Sequence, residues 1–537
     1  MIYRRLINIL IASICLFVMQ ACHDYDEYIV MDELSVGPQN SYFNFTFTVS
    51  TGKTPGTATR VGETPAGGEN GDGREAGFER ENAVTGVTLV FYQNSDGINA
   101  TASSTPALNA TQIKLVKYFP VRLESRDPQG TVYEGKQDEA FYTTGNQKIE
   151  MTDGLDLKGK YHVLVIANAD LTTGDNKISK DDYLNDVRNK VYGLALYSGT
   201  GLKSSATNFI MTSENDVELD FAAEGVKSSV VEGSVTKEVY SFTGLRIERM
   251  AARIDFSTQY NYKEGLIDKY GAEYKTLDKS SNLYIYPGYV YPVYKSTDSD
   301  GNPTSPDRFV VTAIVPFNLS LTNTGCNEFL FKRVDNSGTI SYLADESPSW
   351  VIDPNRADKT STTSHPSYFD YNLTTLSAAG SHSDLVNLGN CVTMESFQSS
   401  TANYPLKVSD DNTADNLIIA YPKENTLLPD SRLYYYATGI AIEGYYYAND
   451  DATKSPTRYV YVGYLRHHGE DTSYDVEEIQ SLDKTKTGIT DHIMNFGVVR
   501  NNIYRVTIYR VNEKGARLKI KIEEEKWRHV DNPTIYI

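Results

Sequence analysis

Residues 41–50, Ser-Tyr-Phe-Asn-Phe-Thr-Phe-Thr-Val-Ser, alternate apolar and polar positions without a break. Phe43, Phe45, Phe47 and Val49 fall on one side, and Asn44, Thr46, Thr48 and Ser50 on the other. This period of two predicts a strand with one buried face. Covering four such side chains is worth on the order of 6–12 kcal/mol gross. A breaker-rich stretch over 51–77 follows and contains Gly67-Gly68-Glu69-Asn70-Gly71-Asp72-Gly73. Its carboxylates, and the absence of a helical pattern after it, read as an extended linker and not as a phosphate loop. A good strand is thus set apart from the remaining chain by a protease-accessible segment.

Further on the pattern becomes globular. Residues 87–92 and 161–167 are continuous apolar runs that predict buried strands. Within 180–192, the spacing of Tyr183, Leu184, Val187 and Val191 predicts a short amphipathic helix. The preceding Thr173-Gly174-Asp175-Asn176 reads as a turn; a calcium loop fails there, because the register puts Leu171 where the first Asp must stand. A polar segment at 222–238 marks a boundary, and a second unit opens at 245–256. Tyr-rich strands are expected at 283–294, 432–447 and 458–465. Near the C-terminus a tight turn at 512–515 leads into a strand where Leu518, Ile520 and Ile522 alternate with Arg517, Lys519 and Lys521. The last residues include Val530, Ile535 and Ile537, an apolar ending that needs somewhere to be buried. Many short strands divided by turn residues predict a mainly β fold of two β-sandwich-like domains with a few short helices.

Composition narrows the function classes. Of the 537 residues, 40% are hydrophobic and 23% charged, an ordinary globular balance. A net charge of −19 argues against a general nucleic-acid binder. Four cysteines exclude a disulfide-dense scaffold and a zinc ribbon. The 40 Tyr and 19 Phe favour sheets.

Arg4 and Arg5 precede an apolar run over 6–18, which ends at Ala21-Cys22. A basic start, a short apolar core and a small residue before the cut describe a secretory signal. The run is shorter than the roughly 20 residues of a membrane span. Cys22 directly after Ala21 makes it a lipoprotein signal with Cys22 lipidated; the alternative is an ordinary signal with a chance cysteine. Cys15 would leave with the signal, so Cys326 and Cys391 are left either as a disulfide or as two buried thiols.

Motifs of catalysis fail on inspection. Gly130 to Lys136 is followed by Gln137, so the hydroxyl that a nucleotide-binding loop gives to Mg²⁺ is missing. His467-His468 lies at a strand end and reads as an exposed turn. Tyr434-Tyr435-Tyr436 and Tyr445-Tyr446-Tyr447 suit stacking on sugars, but such residues more often cover sheet faces. No enzyme, metal or cofactor is expected.

Phe496-Gly497-Val498-Val499-Arg500-Asn501-Asn502-Ile503-Tyr504, followed by a strand and Trp527, resembles the C-terminal signature of Mfa-type fimbrillins, structural subunits of type V pili. The lipoprotein signal, the 41–50 strand before Thr59-Arg60, and Ile247-Glu248-Arg249-Met250-Ala251-Ala252-Arg253 fit the same family in order. Some relatives carry a long Pro-rich insert before the final strand, where this chain has a short turn. The resemblance implies transthyretin-like sandwich domains plus a removable N-terminal strand. It implies a signal over 1–21, a propeptide with a placeholder strand over 22–60, an N-terminal β domain over 61–236 and a C-terminal β domain over 237–537. It further implies cleavage after Arg60 by an Arg-specific surface protease, with Arg74 and Arg80 as fallback sites. The vacated groove would take a donor strand from a neighbouring copy or related pilin, drawn from Leu518, Ile520, Ile522, Val530, Ile535 and Ile537. Such a contact is heterologous and grows a filament. The precursor would sit on the outer membrane by its lipid and the product in a surface fimbrium, with a host protein or glycan as a possible ligand. Alternatives are an anchor or tip adhesin of the same family, or a surface lipoprotein that binds glycans.

Overall fold

In a computed structural model of the chain, the described residues comprise 41–44, 46–50, 74–75 and most of the segment from Glu81 to Asp531. Residues 1–40, 51–73 and 532–537 lie outside them, as do the connections 94–110, 125–138, 258–289, 355–378, 394–415 and 476–496 and several shorter ones. The chain is mainly β. No helix among the described residues is long and apolar enough to cross a membrane.

A ten-stranded sheet forms one centre. Its order is Ile113–Pro120, Gly86–Tyr92, Lys160–Ala167, Met211–Ser213, Arg246–Arg249, Val530–Asp531, Thr46–Ser50, Glu139–Thr143 and Arg122–Glu124, with Val217–Asp220 paired to Lys160–Ala167. The two predicted apolar runs are its central strands. Every residue of Gly86–Tyr92 is buried, as are all but the first of Lys160–Ala167. Burial on both faces explains why their sequences do not alternate. Helix Leu184–Asn189 packs Leu184 and Val187 into the same core. It is shorter than the predicted 180–192, because Tyr183 and Lys190 are extended and Val191–Gly193 enters a strand pair with Asn327–Phe329. Gly174 takes a positive φ of 74° in the turn before it, where a side chain would be strained.

An eleven-stranded sheet forms the second centre, with Asn416–Ala420, Arg253–Ser257, Asn502–Asn512, Val290–Tyr294, Arg308–Phe317, Gly439–Tyr447 and Thr457–Tyr464 in order. Arg517–Trp527 adds to Asn502–Asn512 as a hairpin. Ile254, Phe256, Ile314, Ile442, Tyr504 and Val506 fill its core. The segment 245–256 is divided between the two large sheets: Arg246–Arg249 belongs to the first and Arg253–Ser257 to the second. Met250, Ala251 and Ala252, each wholly buried, make the crossing. Strand Val235–Ser241 spans residues 236 and 237 without a break.

A four-stranded sheet, Lys227–Glu232, Val235–Ser241, Ser41–Asn44 and Gln147–Ile149, completes the surroundings of the N-terminal segment.

Candidate strand-insertion site

The segment 41–50 is an interior strand twice over. Ser41–Asn44 runs parallel to Val235–Ser241, from Ser41 opposite Glu238 to Asn44 opposite Ser241, and antiparallel to Gln147–Ile149 on its other side. After Phe45 the chain changes sheet. Thr46–Ser50 then pairs antiparallel with Glu139–Thr143, and Thr48 faces Asp531 on the opposite side. An interior strand satisfies backbone donors and acceptors of both neighbours, so its loss would leave two bare edges in each sheet.

The C-terminal segment comes to the same place. Val530 and Asp531 pair with Ile247 and Arg246, so Val530–Asp531 lies between Arg246–Arg249 and the N-terminal strand. Leu518, Ile520 and Ile522 lie elsewhere, in Arg517–Trp527, whose register with Asn502–Asn512 runs from Asn502 opposite Lys526 to Asn512 opposite Arg517. Arg74 and Glu75 run parallel to Lys526 and Trp527 at the end of that hairpin. Cys22, Phe45, Arg60, Arg80, Cys326, Ile535 and Ile537 lie outside the described residues, as do the side chains of Phe43, Phe47, Val49, Leu518, Ile520, Ile522 and Val530. Cys391 stands half-buried ahead of Val392–Thr393.

The two sequence signatures are core segments. Every residue from Ile247 to Arg253, and from Val498 to Tyr504, is buried. Asn501 takes a left-handed φ of 57°, its N–H donates to Ala251 O at 2.9 Å, and its side-chain oxygen accepts from Arg249 N–H and NH1 at 3.2 Å each. Asn tolerates that backbone conformation better than a branched residue does. Val499 N–H donates to the Tyr504 hydroxyl at 2.8 Å, which fixes the turn into Asn502–Asn512.

Two buried ionic clusters flank this turn. In the first, Arg253 makes a two-point contact with Asp255, at 2.9 and 2.8 Å, and its NH1 lies 3.2 Å from Glu81 Oε2. The Tyr421 hydroxyl donates to Glu81 Oε1, and Arg249 Nε donates to Glu81 O at 3.1 Å. Burial pulls the Arg249 guanidinium down to about 9, opposed in part by the Glu81 charge. In the second cluster Arg500 binds Glu424 through Nε and NH2, at 3.1 and 3.0 Å, and donates to Leu330 O and Phe329 O. Burial opposes the Arg500 charge, but Glu424 and Glu328 beside it hold its pKa above the usual range. Glu328 sits 3.5 Å from the same guanidinium. Burial, then the neighbouring Glu424 charge, pushes its carboxyl up to about 8.

The Tyr-rich strands cover and fill sheet faces. Tyr436 is wholly buried, Tyr461 packs edge-on to Phe309 at 5.6 Å, Tyr464 does the same to Phe317 at 5.6 Å, and the Tyr446 hydroxyl donates to Asp307. Helix His382–Val386 is an element that hydrophobic periodicity misses. Its signal is the capping box Ser381-His382-Ser383-Asp384, in which Asp384 N–H donates to Ser381 Oγ at 3.2 Å and Ser381 N–H donates to Asp384 at 2.8 Å. Among the described residues no group of three or more His, Cys, Asp or Glu is arranged to hold a metal ion.

No protein-family model and no curated protein matches the chain. Among solved structures it is similar to the tip fimbrial protein Mfa3 of Porphyromonas gingivalis with a C-terminal truncation, at 10% identity and a TM-score of 0.35, over 91% of this chain and 100% of that one. It is similar to a candidate cell-adhesion protein of Parabacteroides distasonis at 13% identity and a TM-score of 0.37, over 93% and 100% of the two chains. It is also similar to a fimbrilin of Porphyromonas gingivalis at 12% identity and a TM-score of 0.32, over 91% and 98%. These neighbours are fimbrial and cell-adhesion proteins, the class that the sequence signatures resemble.

Proposed function

We propose that the chain is a structural subunit of a surface fimbria that polymerises by strand exchange after loss of its N-terminal segment. The observation that carries this reading is the double interior position of 41–50, flanked on each side by strands far away in sequence. A segment placed so, and followed by a Gly-rich linker, is held through backbone pairing to strands on both sides. Cutting the linker converts it from part of the chain into a bound peptide that can be replaced.

The replacing strand is the C-terminal segment of a second copy. Of the two terminal segments, 517–527 is paired along nearly its whole length in its own hairpin, whereas the described pairing of 528–537 is confined to Val530 and Asp531. The exchanging strand is therefore assigned to 528–537, with Val530, Ile535 and Ile537 as its apolar residues. In this reading the precursor is exported with Cys22 lipidated and held at the outer membrane. An Arg-specific surface protease cuts after Arg60, and each copy then donates its tail to the next.

The test is to treat the purified chain with limiting trypsin while following size by light scattering and the new N-terminus by mass spectrometry. Growth into large species with Val61 first supports the proposal. A complete cut that leaves a monomer overturns it for a shaft subunit and favours an anchor, a tip adhesin or a glycan-binding lipoprotein.

A further inference from the structure

Glu81 lies close after the linker, yet it is wholly buried. It is bound by three groups from two other segments: Arg253 NH1 and the Tyr421 hydroxyl on its carboxylate, and Arg249 Nε on its carbonyl oxygen. Arg249 lies in the ten-stranded sheet and Arg253 in the eleven-stranded one. Asp255 adds a second carboxylate through its two-point contact with Arg253. Two guanidiniums, each under 3% exposed, thus have two carboxylates beside them, and one of these belongs to the segment that enters the fold from the linker. A few residues earlier, Arg74 and Glu75 are paired with Lys526 and Trp527.

A protease needs several residues on both sides of the cut in an extended, accessible form. Drawing Glu81 out to meet that need would take its carboxylate from Arg253 and its carbonyl from Arg249, and removing one partner of a buried ion pair is strongly unfavourable. We propose that Glu81 is a latch that marks the N-terminal limit of the processed protein. It closes the Arg80–Glu81 bond to trypsin-like proteases, so that processing falls upstream and the two sheets stay joined when the N-terminal strand leaves. Arg80 is thereby excluded as a processing site, and Arg74, already engaged in a strand pair, is disfavoured in the same way.

The latch does not depend on polymer growth, and its readout is the start residue of the product. Limited trypsin treatment of the full chain, followed by intact-mass analysis of the folded core, should give no product that begins at Glu81. Glu81→Gln keeps the shape but removes the charge, and should release a product beginning at residue 81 at least about tenfold faster. Tyr421→Phe removes one hydroxyl and should accelerate the same cut to a smaller degree; it carries the test if Glu81→Gln fails to fold. Lys160→Gln, which alters only an exposed ion pair with Glu218 and Asp220, should leave the rate unchanged. A wild-type core that starts at Glu81 as readily as at upstream sites overturns the latch, and so does a Tyr421→Phe rate equal to wild type. Failure of the cleaved chain to grow, with Glu81 retained, would count against strand exchange and leave the latch standing.

Discussion

The N-terminal strand pair and the C-terminal hairpin are both long β segments near the chain ends, and they are held in opposite ways. Asn502–Asn512 and Arg517–Trp527 are neighbours in sequence and paired along nearly their whole length. Segment 41–50 has no neighbour in sequence within its sheets. Its partners come from residues 139–149, 235–241 and 530–531. A hairpin pairs locally at low loop-closure cost and re-forms when disturbed. An inserted strand far from its partners stays only as long as the fold closes around it. On the proposed function the hairpin stays in place and segment 41–50 is the one exchanged.

That contrast can be broken most severely at the hairpin's root. Arg500→Met would leave Glu424 and Glu328 buried without their guanidinium, and should cost about 3–5 kcal/mol of stability in a urea titration. Gly439→Ala should cost about 1–3 kcal/mol, because a methyl group there would overlap the Phe317 ring and meet Gly463 O at 2.5 Å. Thermal melting of the variant checks this, and an unchanged midpoint would contradict it.

A pH series sharpens the comparison further. The Glu328 carboxyl is raised from 4.5 to about 8 in the folded chain. The unfolded state therefore loses this proton first. The stabilisation that Glu328 gives is complete below about pH 4.5, falls as pH rises, and is gone above about pH 8. Glu328→Gln should remove that part of the decline, so that variant and wild-type melting curves differ in slope between pH 5 and 8. Parallel slopes would contradict the assignment.

The smallest change in stability is expected at the tail. Deleting 528–537 removes only the Val530–Asp531 pairing from the described structure, and should shift stability by about 1 kcal/mol or less while abolishing growth of the cleaved chain. Deleting 517–537 also strips a strand from the eleven-stranded sheet and should destabilise the monomer itself. Equal stability of the two deletions would erase the distinction between fixed and exchangeable segments.

Much of this was legible in the sequence. The apolar runs at 87–92 and 161–167 report a local pattern and form the buried strands expected, while the alternating segment 41–50, expected as one strand, is divided at Phe45 into two strands of different sheets. The division of 245–256 between two sheets was not legible. A continuous run of apolar and charged residues carries no mark of where a chain leaves one sheet, and only tertiary packing sets the crossing at Met250–Ala252. Glu81 was invisible for a similar reason. A lone carboxylate after a polar linker looks solvated until Arg249, Arg253 and Tyr421, from distant segments, are brought around it. The arginines of both signatures, Arg249, Arg253 and Arg500, are buried and bound to groups of distant segments, which periodicity alone does not reveal.

The central claim is that 41–50 occupies a slot which a second copy's tail can fill. The most direct measurement is to cleave the chain after Arg60 in the presence of excess synthetic peptide 528–537, and to follow both light scattering and retention of the 41–50 peptide on the core. Strand exchange predicts that the free peptide displaces the N-terminal fragment, stays bound to the core and caps growth at small species. A cleaved core that keeps its N-terminal fragment, ignores the peptide and remains monomeric would contradict the account.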